Sequence, residues 1–228
     1  MDKKVRVTIL DDHQSIIDGY MFRLGTNPQI EVAATIGFGE ELEPTLAKNP
    51  TDVLLLDVNV PTSADNLNPY PILHVIPKLL QAHPQLEILV ISMHAERGLI
   101  RAVMDAGASG YILKDDQATA KDLGSVVLSV AGGGIYFSQL AHQLYARHLS
   151  NEGRDVLSPR QLEVLSLSTA YPGDSTADLA EKMSVSNSTV RNLLSDSYIK
   201  LGVRNRTAAI ARARQLGLIT PHQPEAPK

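Results

Sequence analysis

Short apolar segments in the first part of the chain each end at a side chain that can react or bind a ligand. Segment 5–10 ends at Asp11 and Asp12, segment 53–56 at Asp57, segment 88–91 at Ser92, and segment 110–113 at Lys114. A segment that is apolar at every position is typical of a central parallel strand covered by helices on both faces. In such sheets, functional groups collect at the carboxyl ends of the strands. The pattern therefore predicts an α/β fold in which these polar side chains converge at one edge.

Strand and helix patterns alternate along residues 1–131, as parallel βαβ units require. Apolar runs predict strands at 5–10, 30–36, 53–57, 88–93 and 110–113. Between and after them, helices are predicted at 14–25, 39–48, 71–82, 96–106 and 117–131. Because each strand is followed by a helix, we expect the first domain to be a doubly wound sheet of five parallel strands.

The converging acids indicate the chemistry of the predicted site. Asp11, Asp12 and Asp57 would repel one another at close range, which raises the pKa of at least one carboxyl unless a cation joins them. Mg²⁺, a hard cation that prefers oxygen ligands, is the usual ion in such surroundings. With Ser92 and Lys114 beside the acids, the pattern predicts a site for a phosphoryl group carried on a carboxylate.

The middle and the end of the chain favour less regular structure. Three consecutive glycines at 132–134 stop the preceding helix, and residues 135–150 favour one more helix. Residues 151–155 indicate a flexible joint, so residues 132–156 are predicted to be a partly helical linker. Residues 220–228 contain three prolines and are predicted to be a disordered tail.

A small helical domain is predicted at residues 157–219. Ser158 can cap a helix, Pro159 suits its first position, and Gln161 can reach back to the cap, which together make a capping box. Helical periodicity predicts four helices, at 159–170, 175–182, 187–201 and 206–216. The second domain is therefore expected to be entirely α-helical.

Composition limits the functions that the chain can have. It has no cysteine, which excludes disulfides and thiolate metal sites. No apolar stretch approaches the length of about 18 residues that a membrane span needs, and no signal sequence is evident, so we expect a cytoplasmic protein without membrane contact. Residues 1–131 hold 10 basic and 17 acidic residues, a net charge of −7, whereas residues 154–228 hold 10 basic and 7 acidic residues, a net charge of +3. Only the second domain is expected to meet a polyanion.

Both predicted domains resemble known families. Residues 1–131, with the acids, serine and lysine at ordered strand ends, resemble the receiver domain of bacterial two-component response regulators. Residues 157–219 resemble the LuxR-type helix-turn-helix. The motifs that carry the second resemblance are Leu157-Ser158-Pro159-Arg160, Leu179-Ala180, Thr189-Val190-Arg191 and the run from Lys200 to Thr207. In this order the two domains are similar to a NarL/FixJ-type response regulator, which implies a flavodoxin-like receiver followed by a small four-helix DNA-binding domain.

The receiver resemblance implies a role for each residue of the predicted site. It makes Asp57 the phosphoacceptor and Tyr111 the aromatic residue whose rotamer switches on activation. Ser92 and Lys114 would bind the phosphoryl oxygens. The implied ligands of Mg²⁺ are Asp11, Asp12, Asp57 and the backbone carbonyl of Asn59.

Each of these residues alone also has a plain structural interpretation. Acids at strand ends often form turns, and Asp12 alone would be one of these. Ser92 alone would cap a helix, and Tyr111 alone would be a core residue. The joint pattern at four ordered strand ends favours the functional interpretation. His13 follows the acid pair, and we interpret it as the solvated start of a helix rather than as a catalytic base.

The third helix of the second domain has one apolar and one polar face. Val190, Leu194, Ser197 and Leu201 step by four, three and four, so we expect them on the buried side. The opposite, outward set suits a helix that lies in the major groove, with its N-terminus capped by Ser186. The predicted DNA-binding residues are Ser188, Arg191, Asn192 and Ser195 on this face, with Lys200 and Arg204 further along as backbone contacts.

The chain departs from the family pattern at several positions. Residues 61–71 form a longer, proline-rich loop after Asp57, which we interpret either as a lid that alters partner choice or phosphate lifetime, or as a tolerated insertion. The family has histidine where Leu193 stands and a lysine-like residue where Ala177 stands. Ser197 replaces an apolar residue, and its hydroxyl can bond to the carbonyl of Leu193. Fewer basic contacts predict weaker non-specific DNA binding.

The last predicted helix presents a small, apolar face formed by Ala209, Ala213 and Leu216. Small side chains allow close helix approach, so this face is predicted to mediate dimerisation. The alternative is that the same face packs inward on the recognition helix.

These features together predict a transcriptional regulator that is switched by phosphorylation of Asp57. The resemblance implies a histidine kinase as phosphoryl donor, promoter DNA as target and a homodimer as the active form. One alternative is a regulator that acts through protein–protein contacts, with DNA binding weak or lost. Another is a phosphorelay intermediate that passes the phosphoryl group onward. We expect no substrate-turnover enzyme, since no further catalytic pattern appears.

Overall fold

The structure of the protein is a computed structural model that describes residues 4–116, 121–149 and 156–221, without the side chains of 147–149. The N-terminal part alternates strands and helices as predicted. Its elements are β1 (Val5–Leu10), α1 (Gln14–Gly25), β2 (Ile30–Ile36), a 3₁₀ turn (Gly39–Glu41), α2 (Leu42–Lys48), β3 (Val53–Leu56), β4 (Pro61–Ser63), β5 (Asn66–Pro69), α3 (Ile72–Ala82), β6 (Glu87–Ser92), α4 (Arg97–Asp105), β7 (Gly110–Leu113), α5 (Leu123–Ala131), β8 (Tyr136–Phe137) and α6 (Gln139–Leu149). Residues 117–120, at the start of the helix predicted at 117–131, lie outside the described residues.

The main sheet is parallel throughout, with the strand order β2-β1-β3-β6-β7-β8. Its two faces have separate cores. Ile17 of α1 and Val127 of α5 belong to the core on one face, and Leu46 of α2, Ile76 of α3 and Val103 of α4 belong to the core on the other. This is the doubly wound arrangement that the alternating pattern predicts. The carboxyl ends of β1, β3, β6 and β7 therefore meet at one edge.

The sheet has six strands rather than the predicted five. The added strand, β8, pairs with β7 through Gly110 opposite Tyr136 and Tyr111 opposite Phe137. Gly110 allows this approach, because a Cβ atom there would lie 2.2 Å from the carbonyl oxygen of Tyr136. A strand of two residues is too short to produce an alternating pattern, which is why the sequence did not reveal it.

The interpretation of residues 132–156 as a linker is corrected for the part that follows the glycines. Helix α6 packs on the receiver, where Ala141 is fully buried and the rings of Phe137 and Tyr145 stack with centroids 5.0 Å apart. Residues 136–146 thus extend the first domain. The predicted flexible joint at 151–155 lies outside the described residues.

The C-terminal part contains the four predicted helices, α7 (Pro159–Ala170), α8 (Thr176–Lys182), α9 (Asn187–Leu201) and α10 (Arg206–Gln215). The predicted capping box begins α7, since Ser158 N donates to Gln161 Oε1 at 2.9 Å and Gln161 N donates to Ser158 Oγ at 3.3 Å. Gly202, with a φ of 68°, ends α9 in the left-handed conformation that glycine adopts without strain. Thr220, which was predicted to begin a disordered tail, is buried, and residues 222–228 lie outside the described part.

The proline-rich segment after Asp57 forms an antiparallel hairpin, β4–β5, in which Pro61 pairs with Pro69 and Ser63 with Asn66. Thr62 is fully buried and its hydroxyl donates to the Asn68 carbonyl at 2.9 Å. The hairpin is therefore an ordered part of the receiver and not a loose surface loop.

The two domains are in contact. His74 Nδ1 of α3 lies 2.7 Å from Glu163 Oε1 of α7, and Lys78 Nζ of α3 donates to the Lys182 carbonyl of α8 at 2.9 Å. Beside these contacts lies a groove of about 680 Å³, lined by apolar side chains such as Leu73 and Met183 and by charged ones such as Arg160. Among the residues described, none of the helices combines the length and the apolar character that a membrane crossing requires.

Candidate functional site

Three strand ends bring a lysine and two carboxylates into direct contact. Lys114 Nζ, after β7, lies 2.7 Å from Asp11 Oδ2, after β1, and 2.7 Å from Asp57 Oδ2, after β3. Asp11 is 1% exposed and Asp57 5% exposed, so water screens neither carboxylate well. The convergence that the strand ends predict is therefore present for these residues, although they are far apart in the sequence.

The environment perturbs both sides of this ion pair. Burial raises the pKa of the Asp57 carboxyl, and Asp11 raises it further, while the charge and hydrogen bond of Lys114 lower it without cancelling the rise. Burial lowers the pKa of Lys114, but the charges and hydrogen bonds of Asp57 and Asp11 outweigh this effect, and the pKa lies above its ordinary value. A nearby cation therefore favours the ionised form of Asp57.

The acid pair after β1 can contribute to a metal site. Ligand atoms of Asp11, Asp12 and His13 all lie within 4.8 Å of one another. The carboxylate oxygens of Asp11 and Asp12 are donors that suit a hard divalent cation such as Mg²⁺. Asn59, whose carbonyl the sequence analysis assigned to the metal, lies close by, since its N–H donates to Asp57 Oδ1 at 3.3 Å.

His13 has the position expected for a solvated helix start. Its side chain is 57% exposed, and its Nδ1 lies 2.8 Å from Asp12 Oδ1. It precedes α1 in an extended conformation and does not cap the helix with its side chain.

Ser92 and Tyr111 lie on the neighbouring strands β6 and β7, and both are fully buried. Ser92 Oγ accepts from the N–H of His94 at 3.0 Å, and the Tyr111 hydroxyl donates to the carbonyl of His94 at 2.8 Å. Burial raises the pKa of Tyr111, so the hydroxyl keeps its proton for this bond. Both side chains therefore contact the loop between β6 and α4. Their assigned roles in binding phosphoryl oxygens and in switching stay predictions.

The two faces of α9 agree with the helical periodicity. Val190, Leu194, Ser197 and Leu201 are buried. Ser188, Arg191, Asn192 and Ser195, the predicted DNA-binding set, are all exposed, as is Arg204. Ser186 caps the helix by accepting from the N–H of Thr189 at 3.1 Å, and Ser197 Oγ donates to the Leu193 carbonyl at 2.6 Å as expected. The helix presents a polar surface with a capped N-terminus, which suits contact with phosphates.

Lys200 differs from the other predicted contacts because it already has a partner within the domain. Its Nζ donates to Gln161 Oε1 at 3.0 Å, which ties the end of α9 to the start of α7. Its side chain would have to leave this bond, or share it, to reach a DNA backbone.

The predicted dimerisation face is corrected for two of its three residues. Ala209 and Ala213 are fully buried and belong to the core of the chain. Their small side chains allow α10 to pack closely inside its own domain, which is the inward alternative. Leu216, at 40% exposed, retains accessible surface. Small apolar residues look the same in sequence whether they face a core or a partner.

The contacts between the domains were not found from the sequence. The buried His74 and the partly buried Glu163 are polar partners that lie 89 residues apart, and Asn66 of the hairpin donates to the Ala170 carbonyl at 2.9 Å. None of them is part of a local pattern. The unusual length of segment 61–71 was the one available signal that this region has a special role.

Comparison with known proteins matches both parts of the chain to families. Residues 7–122 match the response regulator receiver domain, and residues 155–213 match the bacterial regulatory proteins of the luxR family. The chain is 30% identical over 217 residues to the transcriptional regulatory protein MctR of Rhizobium johnstonii, covering 95% of this chain and 96% of that protein. It is 31% identical over 238 residues to the transcriptional regulatory protein DegU of Brevibacillus brevis, covering 96% of each.

Solved structures show the same two-part architecture. RcsB of Salmonella enterica serovar Typhimurium, bound to the promoter rprA in the presence of the phosphomimetic BeF₃⁻, is 25% identical with a TM-score of 0.64, covering 92% of this chain and 98% of that chain. Because the receiver match covers half of the chain and the LuxR-type match follows it in the expected order, the chain belongs to the response regulators that join a receiver domain to a LuxR-type DNA-binding domain.

Proposed function

We propose that phosphorylation of Asp57 switches this response regulator and that α9 is the helix that contacts promoter DNA. The observation that carries the proposal is the position of Lys114 Nζ, 2.7 Å from both Asp11 and Asp57. A buried carboxylate beside a lysine can accept a phosphoryl group whose new negative charge the lysine then stabilises.

A metal ion would complete this site. The residues that would hold Mg²⁺ are Asp11, Asp12, Asp57 and the backbone carbonyl of Asn59. When bound, the ion would offset the mutual repulsion of these carboxylates and of an incoming phosphate. The protein's own contribution is to keep the carboxylates buried and close together, where water cannot weaken the repulsion between their charges.

The phosphoryl group would change the contacts of three neighbouring side chains. Lys114 would move from the Asp57 oxygen to the phosphoryl oxygens, and Ser92 Oγ would turn from the His94 N–H toward the same oxygens. Tyr111 also contacts His94, so a shift of that loop would reach its hydroxyl. The phosphoryl group carries about two negative charges in place of the single charge of the Asp57 carboxylate, and these charges lie further from the main chain, which gives the differential interaction that a switch requires.

The output would be a change in promoter binding. Ser188, Arg191, Asn192 and Ser195 are exposed on α9 and would reach base edges or phosphates in the major groove. A histidine kinase would supply the phosphoryl group, as the match to the receiver family implies. A homodimer would be the active form, by analogy with the RcsB dimers that are bound to DNA in a solved structure. A regulator of promoters works where the chromosome is, so we propose a cytoplasmic location.

A single experiment tests the phosphorylation. Incubation of the full chain with acetyl phosphate and Mg²⁺ should add one phosphoryl mass, and Asp57→Asn should gain none. Chelation of the metal should stop the reaction. Labelling of Asp57→Asn to the level of the wild type would refute the assignment.

A second candidate function is regulation through a partner protein instead of DNA. It is favoured by Leu193 and Ala177, which stand where related domains carry basic or imidazole side chains toward DNA, and by the small positive charge of residues 154–228. Ala177 is exposed near the start of α8, where an alanine contributes no positive charge to the surface. Absence of binding to any DNA fragment in a genomic selection, with and without phosphorylation, would favour this candidate.

A further inference from the structure

Ser138 stands where the sheet ends and helix α6 begins. In a parallel ladder, a residue donates with its N–H to one residue of the neighbouring strand and accepts with its carbonyl from the residue two positions later. Ser138 N donates to the Tyr111 carbonyl at 3.1 Å, which is the first of these two bonds. The regular second bond would join the N–H of Leu113 to the Ser138 carbonyl. That carbonyl instead accepts from His142 N at 2.9 Å, as part of the first turn of α6.

The Ser138 hydroxyl replaces the missing ladder acceptor. Leu113 N donates to Ser138 Oγ at 3.1 Å, so the side-chain oxygen does what the main-chain oxygen would do in a longer strand. Leu113 is 2% exposed and Ser138 1% exposed. A buried N–H without an acceptor is costly, so this position needs a hydroxyl as long as the chain turns into α6 here.

This bond lies one residue before Lys114, which contacts the proposed phosphorylation site. Lys114 N donates to the Ser92 carbonyl of β6 at 2.8 Å. The N–H of the preceding residue, Leu113, donates to Ser138, which lies on the opposite side of β7 from β6. The main chain that carries Lys114 is thus fixed between β6 and the start of α6. Lys114 in turn makes the 2.7 Å contacts to Asp11 and Asp57.

We propose that Ser138 is a positioning residue for Lys114 and that, through it, the helix leading to the DNA-binding domain is tied to the phosphorylation site. The proposal rests on the proposed function of Asp57. Ser138 touches neither the carboxylates nor the phosphoryl group. It acts by fixing the main chain before Lys114, and any movement of Lys114 toward a phosphoryl group is passed back to the first turn of α6.

The test compares three variants of the full chain. Ser138→Ala removes the acceptor, and Ser138→Thr keeps a hydroxyl at the same place. Ser109→Ala is the matched control, because Ser109 is also a buried serine whose Oγ accepts a main-chain N–H, that of Ile88, at 3.2 Å. Ser109 precedes β7, at the opposite end of the strand from Lys114. Its hydroxyl also donates to the Glu87 carboxylate, so Ser109→Ala reports the cost of losing both bonds away from the site.

The first readout is the rate of Asp57 phosphorylation by acetyl phosphate with Mg²⁺, per folded molecule as judged by circular dichroism. We expect Ser138→Ala to react about tenfold more slowly, and Ser138→Thr and Ser109→Ala to stay within about twofold of the wild type. If Ser138→Ala does not fold, Ser138→Cys takes its place, since a thiol fills the site but is a weak acceptor, and it should show the same direction of change.

The second readout is hydrogen exchange in α6 with and without beryllofluoride, which mimics a phosphoryl group. We expect beryllofluoride to change exchange in the first turn of α6 in the wild type and in Ser109→Ala but not in Ser138→Ala. If Ser138→Ala has the same phosphorylation rate and the same exchange behaviour as the wild type, the positioning role is overturned, while the proposed phosphorylation of Asp57 is not affected. Failure of the wild type itself to accept a phosphoryl group would overturn the proposed function as well.

Discussion

The side-chain amide of Asn66 donates a hydrogen bond of 2.9 Å to the carbonyl oxygen of Ala170. Ala170 is the last residue of α7, and the final carbonyls of a helix have no partner within it. The hairpin that follows Asp57 therefore completes the end of the first helix of the DNA-binding domain. From the sequence, segment 61–71 is interpreted as a lid or as a tolerated insertion, and neither interpretation includes this contact with α7.

Asn66→Ala should loosen this contact. The substitution leaves the Ala170 carbonyl without the amide, which costs about 1 kcal/mol and raises the open population of the contact about fivefold. Hydrogen exchange reads such openings even when they are rare. Because Asn66 Oδ1 also accepts from Asn68 within the hairpin, the informative exchange is that at the carboxyl end of α7. We expect it to rise in Asn66→Ala and not in Leu67→Ala, because Leu67 in β5 is 76% exposed. Equal exchange in both variants would show that the bond does not hold the domains together.

Glu163→Gln should reveal a pH-dependent contribution from the contact with His74. Burial raises the pKa of the Glu163 carboxyl, but hydrogen bonds from His74 and Arg160 lower it by more, so the pKa lies below its ordinary value of 4.5. A carboxyl with a lowered pKa stabilises the folded state above its ordinary pKa, and this contribution disappears as the pH falls through the lowered pKa.

Urea denaturation at several pH values measures this effect. Glu163→Gln should have a lower free energy of unfolding than the wild type at neutral pH, and the difference should shrink below a pH of about 4. Glu181→Gln, at an exposed position on α8, is the control and should match the wild type throughout. A difference for Glu163→Gln that does not depend on pH would contradict the assignment of the effect to its charge.

Mg²⁺ should stabilise the receiver through its acids. A ligand that binds only the folded state raises the melting temperature, and the rise follows the ligand concentration. We expect Mg²⁺ to raise the melting temperature of the wild type but not of Asp12→Ala, which loses an oxygen ligand of the predicted site. Asp65→Asn, an exposed acid on the hairpin, should respond like the wild type. An undiminished response of Asp12→Ala would remove Asp12 from the metal site.

The convergence of the residues of the candidate site was predictable because they are marked by local patterns. Asp11, Asp57 and Lys114 each follow a short apolar strand, and parallel strands bring their carboxyl ends to one edge without any further information. The outward position of Arg191 likewise follows from the spacing of the buried residues of α9. In both places, a periodic main-chain geometry fixes where each side chain lies.

The features that the sequence did not reveal depend on contacts between distant segments. Strand β8 has two residues and exists because Gly110 leaves room for Tyr136, which no periodicity expresses. The inward packing of Ala213 and the pairing of His74 with Glu163 depend on which surfaces meet. Small apolar residues and single polar residues are compatible with several partners, so their sequence does not select one.

Arg191→Ala should reduce binding to operator DNA more than any other substitution on α9. Arg191 is exposed on the face that it shares with Ser188, Asn192 and Ser195, and it is the cation of that face. Loss of a specific arginine contact costs about 1–3 kcal/mol. Lys200→Ala should have a smaller effect that is alike for all sequences, because Lys200 contacts Gln161 at 3.0 Å and lies at the end of the helix.

Titration of wild type, Arg191→Ala and Lys200→Ala against operator and random DNA at two salt concentrations separates these contacts. A contact to a base edge lowers affinity for the operator alone, whereas a contact to a phosphate lowers affinity for both DNAs and flattens the dependence on salt. Unchanged operator affinity in Arg191→Ala would mean that another face of the domain meets the DNA. If the wild type binds neither DNA in either phosphorylation state, the exposed polar face of α9 would instead be a surface for a partner protein.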